Sequence, residues 1–187
     1  MTETELKSII DEETYTKIKR AVNWEHTVVQ ENHYYTDKGG ILRENRVMVR
    51  IRVIDGKGKL QVKRHVNRGS ALQICEETEF SVDGVPETLT PDKAREITGM
   101  DVGALCKMGC AVTKRRTISD GTTELCLDKT TYFDKTDYEV EAEYTGKVSA
   151  ELLAKLTAFG VSFDKKSVGK FSRFLKEYNK RNEKSVT

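Results

Sequence analysis

Met1-Thr2-Glu3-Thr4-Glu5-Leu6-Lys7 opens the chain, with Glu3, Glu5 and Lys7 at every second position. On a helix these charges would scatter round the axis. On a β-strand they share one face, because side chains alternate with period two. Three charges on one strand face ordinarily meet water, so the reading depends on whether other strands carry matching rows.

Several do. Met48, Arg50 and Arg52 share a parity, against Val47, Val49, Ile51 and Val53. Asp55-Gly56-Lys57-Gly58 is a hairpin signal. The return strand, 60–66, sets Gln61, Lys63 and His65 against Leu60, Val62 and Val66. Cys75, Glu77 and Glu79 alternate with Ile74, Glu76, Thr78 and Phe80. A strand over 105–118 carries Lys114 and Arg116 at alternate positions, although Val112 and Ile118 share their parity. After a second turn at Ser119-Asp120-Gly121, Glu124, Cys126 and Asp128 alternate with Leu125 and Leu127. Glu139, Glu141 and Glu143 then alternate with Tyr138, Val140, Ala142 and Tyr144. Residues 26–35 complete the predicted strands, and 37–45, with Gly39-Gly40, read as a loop.

Helices fall between the strands. Asp11 caps a predicted helix over 11–24 with an apolar stripe of Tyr15, Ile18 and Val22. Thr90-Pro91-Asp92 starts a short helix ending near Gly99. Ser149 caps a helix with Leu152, Leu153 and Leu156, closed by Gly160. A last helix, 168–182, carries Lys170 and Arg173.

Composition narrows the class. The 187 residues suffice for a single domain, 1–187, with its own core. The 32 basic and 30 acidic residues leave a formal charge of +2, which argues against nucleic-acid binding. No apolar run approaches the roughly 20 residues of a membrane helix, and no signal peptide precedes the charged start. A cytoplasmic protein that does not engage a membrane is expected. Its four cysteines are then reduced. Cys106 and Cys110 have a loose metal-like spacing, but no second Cys or His pair completes a zinc site. His26, His33 and His65 form no triad or HExxH motif.

An ordinary antiparallel sheet buries the apolar face and solvates the charged one, which explains any single strand here. The set is harder to explain so, because acidic rows (Glu77/Glu79, Glu139/Glu141/Glu143) and basic rows (Arg50/Arg52, Lys114/Arg116) are segregated. A closed barrel, helices outside and charges within, is the alternative. Enclosed charges must be paired or bound. Rows of Arg and Lys suit a polyanion, and rows of Glu suit a hard divalent cation. A metal-bound polyphosphate satisfies both.

The same residues resemble a known family. Glu3-Thr4-Glu5-Leu6-Lys7 is similar to the ExExK signature of the CYTH domain, or triphosphate tunnel metalloenzymes. In the family's order follow Asn32-His33-Tyr34-Tyr35-Thr36-Asp37, Arg50-Ile51-Arg52, Lys63, Glu77-Thr78-Glu79, Lys114-Arg115-Arg116, Asp128, Glu141-Ala142-Glu143, and a basic segment with Ser167, Lys170 and Arg173. Lys38 departs from the pattern, standing where the family often has Thr. The resemblance implies an α+β fold: an eight-stranded antiparallel β-barrel forming a charged tunnel, with α-helices outside. It implies a metal-dependent triphosphatase using Mg²⁺ or Mn²⁺ on a small-molecule substrate: tripolyphosphate, thiamine triphosphate or a nucleoside triphosphate. It assigns metal binding to Glu3, Glu5, Asp128, Glu141 and Glu143, with Glu139 beside them. Phosphate contacts fall to Lys7, Arg50, Arg52, Lys63, Lys114, Arg116, Lys170 and Arg173, with Glu77 and Glu79 holding these bases or a second metal. Glu3, Glu5, Lys7 and Glu143 are the expected catalytic group. An adenylyl cyclase of the same fold, a polyphosphate- or nucleotide-binding module without turnover, and a plain barrel with a solvated face are the rivals. A homodimer is left open.

Overall fold

A computed structural model describes residues 2–66, 73–164 and 167–184; of Thr2, Glu3, Gln73 and Lys184 it describes the backbone alone. The elements are β1 (Thr2–Ile10), α1 (Glu12–Ala21), β2 (His26–Asp37), α2 (Ile41–Glu44), β3 (Val47–Ile54), β4 (Lys57–His65), β5 (Gln73–Ser81), β6 (Thr88–Leu89), α3 (Pro91–Thr98), β7 (Leu105–Ser119), β8 (Thr123–Tyr132), β9 (Lys135–Tyr144), α4 (Ala150–Thr157) and α5 (Lys170–Lys184). The hydrogen-bonded order among the described residues is β2-β3-β4-β5-β1-β9-β8-β7-β6, and β2 also pairs with β7. The eight long strands therefore close into an antiparallel barrel, with the two-residue β6 appended to β7. The opening stretch, β1, lies between β5 and β9. No helix among the described residues is long and apolar enough to cross a membrane.

By contacts the chain divides into two compact units: Met1–Gln30, Val66–Glu76 and Val112–Ser167, and Glu31–His65, Glu77–Ala111 and Val168–Thr187. In the first, one sheet face is apolar. Leu125, Leu127, Val140 and Ala142 pack against Tyr15, Ile18 and Val22 of α1 and Leu152 and Leu156 of α4. Full burial of a side chain such as Ile18 or Leu156 contributes about 1.5–3 kcal/mol. Both helices start as the sequence predicts. The Asp11 carboxylate accepts from Thr14 N at 2.7 Å, and the Ser149 hydroxyl accepts from Leu152 N at 3.3 Å. The other face is polar, and register sets its rows. Lys7 lies across from Glu141, Glu141 from Cys126 and Cys126 from Thr117. One row on, Glu5, Glu143, Glu124 and Ser119 are aligned in the same way.

In the second unit Val47, Val49, Ile51, Leu60 and Val62 of the β3–β4 hairpin pack with Leu42 of α2 and Ala94 and Ile97 of α3. Helix α2 lies inside the expected loop. The Asp37 carboxylate organises it, accepting from Ile41 N at 2.7 Å and Leu42 N at 3.0 Å. Along β7 strict alternation of buried residues (Ala111, Thr113, Arg115, Thr117) begins only after Gly109, whose φ of 148° favours glycine. Such a local break resets which side chains face which way.

Candidate active site

The polar face of the first unit gathers Glu5, Glu124, Asp128, Glu139, Glu141 and Glu143 around two cations, Lys7 and Arg115. Lys7 Nζ lies 2.8 Å from Glu5 Oε1 and 3.2 Å from Glu141 Oε1. Arg115 grips Asp128 with both arms of its fork, Nε to Oδ1 at 3.0 Å and Nη2 to Oδ2 at 2.8 Å. It also donates to Glu143 Oε1 at 3.0 Å and to Glu141. Burial alone would lower the Arg115 pKa, but Asp128, Glu141 and Glu143 outweigh it and hold the guanidinium well above its ordinary value. On the same face, burial and then Glu143 push the Glu124 carboxyl up, and burial pushes the Cys126 thiol well up. Ser167 donates to the Lys7 carbonyl at 3.0 Å, which ties the segment before α5 to β1.

Six carboxylates against two cations, among the described residues, is a crowded anionic surface, and uncompensated buried carboxylates are costly. Ligand oxygens of Glu5, Glu141 and Glu143 lie within 4.8 Å of one another, as do those of Asp128, Glu139 and Glu141. An all-oxygen set of this kind fits a hard divalent cation. The side chain of Glu3 lies outside the described residues; its backbone pairs with Cys75 in β5.

Of the three adjacent basic residues on β7, the structure brings one to the carboxylates. Arg115, not Lys114 or Arg116, stands on the acidic face. Lys114 is exposed, and Arg116 turns to the helix-covered side, where its Nη1 donates to the Tyr15 hydroxyl at 2.8 Å. The reason is register: Arg115 is paired with Asp128 and Ile118 with Leu125, so apolar Ile118 joins the core under α1 and its parity carries Arg116 and Lys114 with it. The signal was present in the shared parity of Val112 and Ile118.

The second unit carries the basic face. Arg50 Nε donates to Gln61 Oε1 at 2.7 Å and Arg52 Nε to Asn32 Oδ1 at 3.0 Å. Neutral amides thus orient both guanidiniums through Nε. Glu77 lies 3.7 Å from Arg50 Nη2. Glu79 accepts from Lys59 at 2.7 Å and from Gln61, and those two bonds, Lys59 first, hold its carboxyl below the usual range. Asn32, Lys59 and Gln61 were absent from the expected site set. Lys63 is half-buried opposite Met48. Lys170 opens α5, and Arg173 donates to the Val168 carbonyl. Tyr34, the cross-strand partner of Arg50, stacks against Phe171 and Phe174 of α5 with ring centroids 5.1 and 4.8 Å apart. Helix α5 therefore covers the Tyr34 end of the basic face.

Comparison with known proteins agrees with this fold. Residues 1–174 match the sequence model of the CYTH domain. The curated protein YjbK of Bacillus subtilis (strain 168), named provisionally as a triphosphatase, is 26% identical over 187 residues, covering 95% of this chain and 96% of its own. Among solved structures, HpAC1 from Hippeastrum is described as an adenylyl cyclase by provisional assignment with a dominant triphosphatase activity. It superposes with a TM-score of 0.69 at 22% identity, over 94% of this chain and 96% of its own. A Bacillus halodurans protein assigned provisionally as an adenylate cyclase gives a TM-score of 0.68 at 22% identity, over 92% and 96%.

Proposed function

Because the chain belongs to the CYTH domain family, we propose that it is a divalent-metal-dependent triphosphatase, hydrolysing a phosphoanhydride bond of tripolyphosphate, thiamine triphosphate or a nucleoside triphosphate. The observation that carries the reading is the carboxylate set Glu5, Glu141 and Glu143, ringed by Lys7 and Arg115. The activity named for YjbK and described for HpAC1 supports it. Glu5, Glu141 and Glu143 would hold Mg²⁺ or Mn²⁺, with Glu3 and Asp128 completing the set. The ion would neutralise phosphate oxygens and lower the pKa of an attacking water.

The chain's own residues do the rest. Arg50 and Arg52, with Nε anchored by Gln61 and Asn32, would bind phosphate oxygens, since a guanidinium can bind two oxygens at once. Lys63, Lys170 and Arg173 extend the positive surface along the polyphosphate. Glu77 and Glu79 hold this row in position. Lys7 and Arg115 balance the carboxylates and keep Glu5 and Glu143 oriented as charge builds in the transition state. No Ser, Cys or His nucleophile is required.

The test is to incubate the purified protein with tripolyphosphate, thiamine triphosphate and ATP, with and without Mg²⁺ or Mn²⁺, following phosphate, pyrophosphate and cyclic AMP. Metal-dependent phosphate release, abolished in folded Glu5→Gln and Glu143→Gln, is expected. Wild-type turnover by both variants, or pyrophosphate with cyclic AMP as the products from ATP, would overturn the proposal.

A further inference from the structure

A second set of ligating side chains lies off both polar faces. In the second unit His33 Nε2 is 3.3 Å from Glu31 Oε2 and 3.9 Å from Cys110 Sγ, and the three ligand atoms all lie within 4.8 Å of one another. Glu31 and His33 have the parity of the core residue Tyr35, opposite to Asn32 and Tyr34 on the basic face. Cys110 comes into reach on β7 just after Gly109, beside Ala111, whose carbonyl accepts from the Asn32 amide at 3.4 Å.

Thiol, imidazole and carboxylate together make a softer donor set than the all-carboxylate face, suited to Zn²⁺ rather than Mg²⁺. Metal–ligand bonds of about 2.0–2.3 Å in a tetrahedral site put neighbouring ligand atoms roughly 3.3–3.6 Å apart. The His33–Glu31 separation already equals the lower figure. Cys110 Sγ stands about 0.3 Å beyond the upper figure from His33 Nε2 and within 4.8 Å of the Glu31 oxygen. A Cys–His–acid group also suggests a nucleophile. Burial, and then the Glu31 carboxylate, push the Cys110 thiol up, the opposite of what an activated cysteine needs.

We propose that Glu31, His33 and Cys110 form a three-ligand site for Zn²⁺, with a fourth position open to water, distinct from the carboxylate set and not required for the hydrolysis. On binding, the Cys110 thiol releases its proton to solvent. Because β2 pairs with β7 to close the barrel, the ion acts as a staple across that pair.

The test uses the reduced, chelator-treated full chain. Titration with Cd²⁺ is followed by the near-ultraviolet thiolate-to-metal charge-transfer band, and Zn²⁺ affinity by competition. The wild type is expected to develop the band, to melt higher with Zn²⁺, and to keep the band in excess Mg²⁺. Cys110→Ser is expected to lose the band, and His33→Ala to weaken Zn²⁺ binding at least about tenfold. Both should keep Mg²⁺-supported tripolyphosphate hydrolysis, while Cys106→Ser and Cys126→Ser keep the band. No band in the wild type overturns the site. So does a band that persists in Cys110→Ser or disappears in Cys126→Ser, which would put the thiolate among Glu124, Cys126 and Glu143 instead. His33→Ala, which leaves the thiol in place, separates loss of a ligand from loss of fold.

Discussion

Replacing Arg115 with Met tests the central electrostatic claim. The substitution keeps an unbranched stem and removes a guanidinium bonded to Asp128, Glu141 and Glu143. Asp128 is 0% exposed and Glu141 3%, so they are left as buried anions with one partner fewer. Breaking a buried ion pair from one side costs about 3–5 kcal/mol. For a domain of this size, each kcal/mol moves Tm by roughly 2–4 °C, so the expected fall is about 6–20 °C. The contrasts are Lys114→Met, exposed and worth no more than about 0.5 kcal/mol, and Arg116→Met, which loses one hydrogen bond to Tyr15 worth about 1 kcal/mol. Two further readouts separate a charge effect from packing. Lowering the pH should relieve the Arg115→Met defect, because protonated carboxyls need no counter-charge. Mn²⁺ should stabilise Arg115→Met more than the wild type, because the ion replaces the lost charge. Thermal and urea denaturation with and without Mn²⁺ measure all of this. A wild-type Tm for Arg115→Met, or a larger fall for Lys114→Met, would refute the assignment of Arg115 to the acidic face.

Three other outcomes are expected. At a free concentration about a hundred times its Kd, a divalent cation held by Glu5, Glu141 and Glu143 stabilises the fold by about 2.7 kcal/mol; calorimetry should show that gain in the wild type and not in Glu5→Gln. In the native, metal-free protein a thiol reagent should label exposed Cys106 rapidly, while buried Cys75 and Cys126 react only on unfolding; rapid native labelling of Cys126 would contradict its burial beneath the carboxylates. Asp37→Ala removes both hydrogen bonds that start α2 and should cost about 1–3 kcal/mol in urea denaturation, whereas a neutral result would mean that α2 is held by Leu42 packing alone.

Much of the fold was legible because its signals are local. The charge rows of β1, β3, β4 and β9 are period-two patterns within single strands, and the structure places Glu5 and Lys7, Arg50 and Arg52, Gln61 and Lys63, and Glu139, Glu141 and Glu143 opposite the core. Helices α1, α3 and α4 announced themselves by Asp11, Thr90 and Ser149, whose side chains accept from backbone N–H groups as capping requires. Helix α2 was hidden because one turn of helix has no periodicity to read; a carboxylate four residues before it supplies the order.

What the sequence alone determined is the alternation: which residues of a strand share a face. What the tertiary structure decided is which of the two faces meets the site, and which distant rows become neighbours. Alternation has two phases of equal local energy, and only pairing with the next strand and burial under a helix choose between them. On β7 that choice fell to Ile118 in the core and the pairing of Arg115 with Asp128, and it put the residue between Lys114 and Arg116 on the acidic face. The His33–Cys110 contact spans 77 residues of sequence, so no local pattern could hold it; it exists because β2 and β7 are adjacent in the closed barrel.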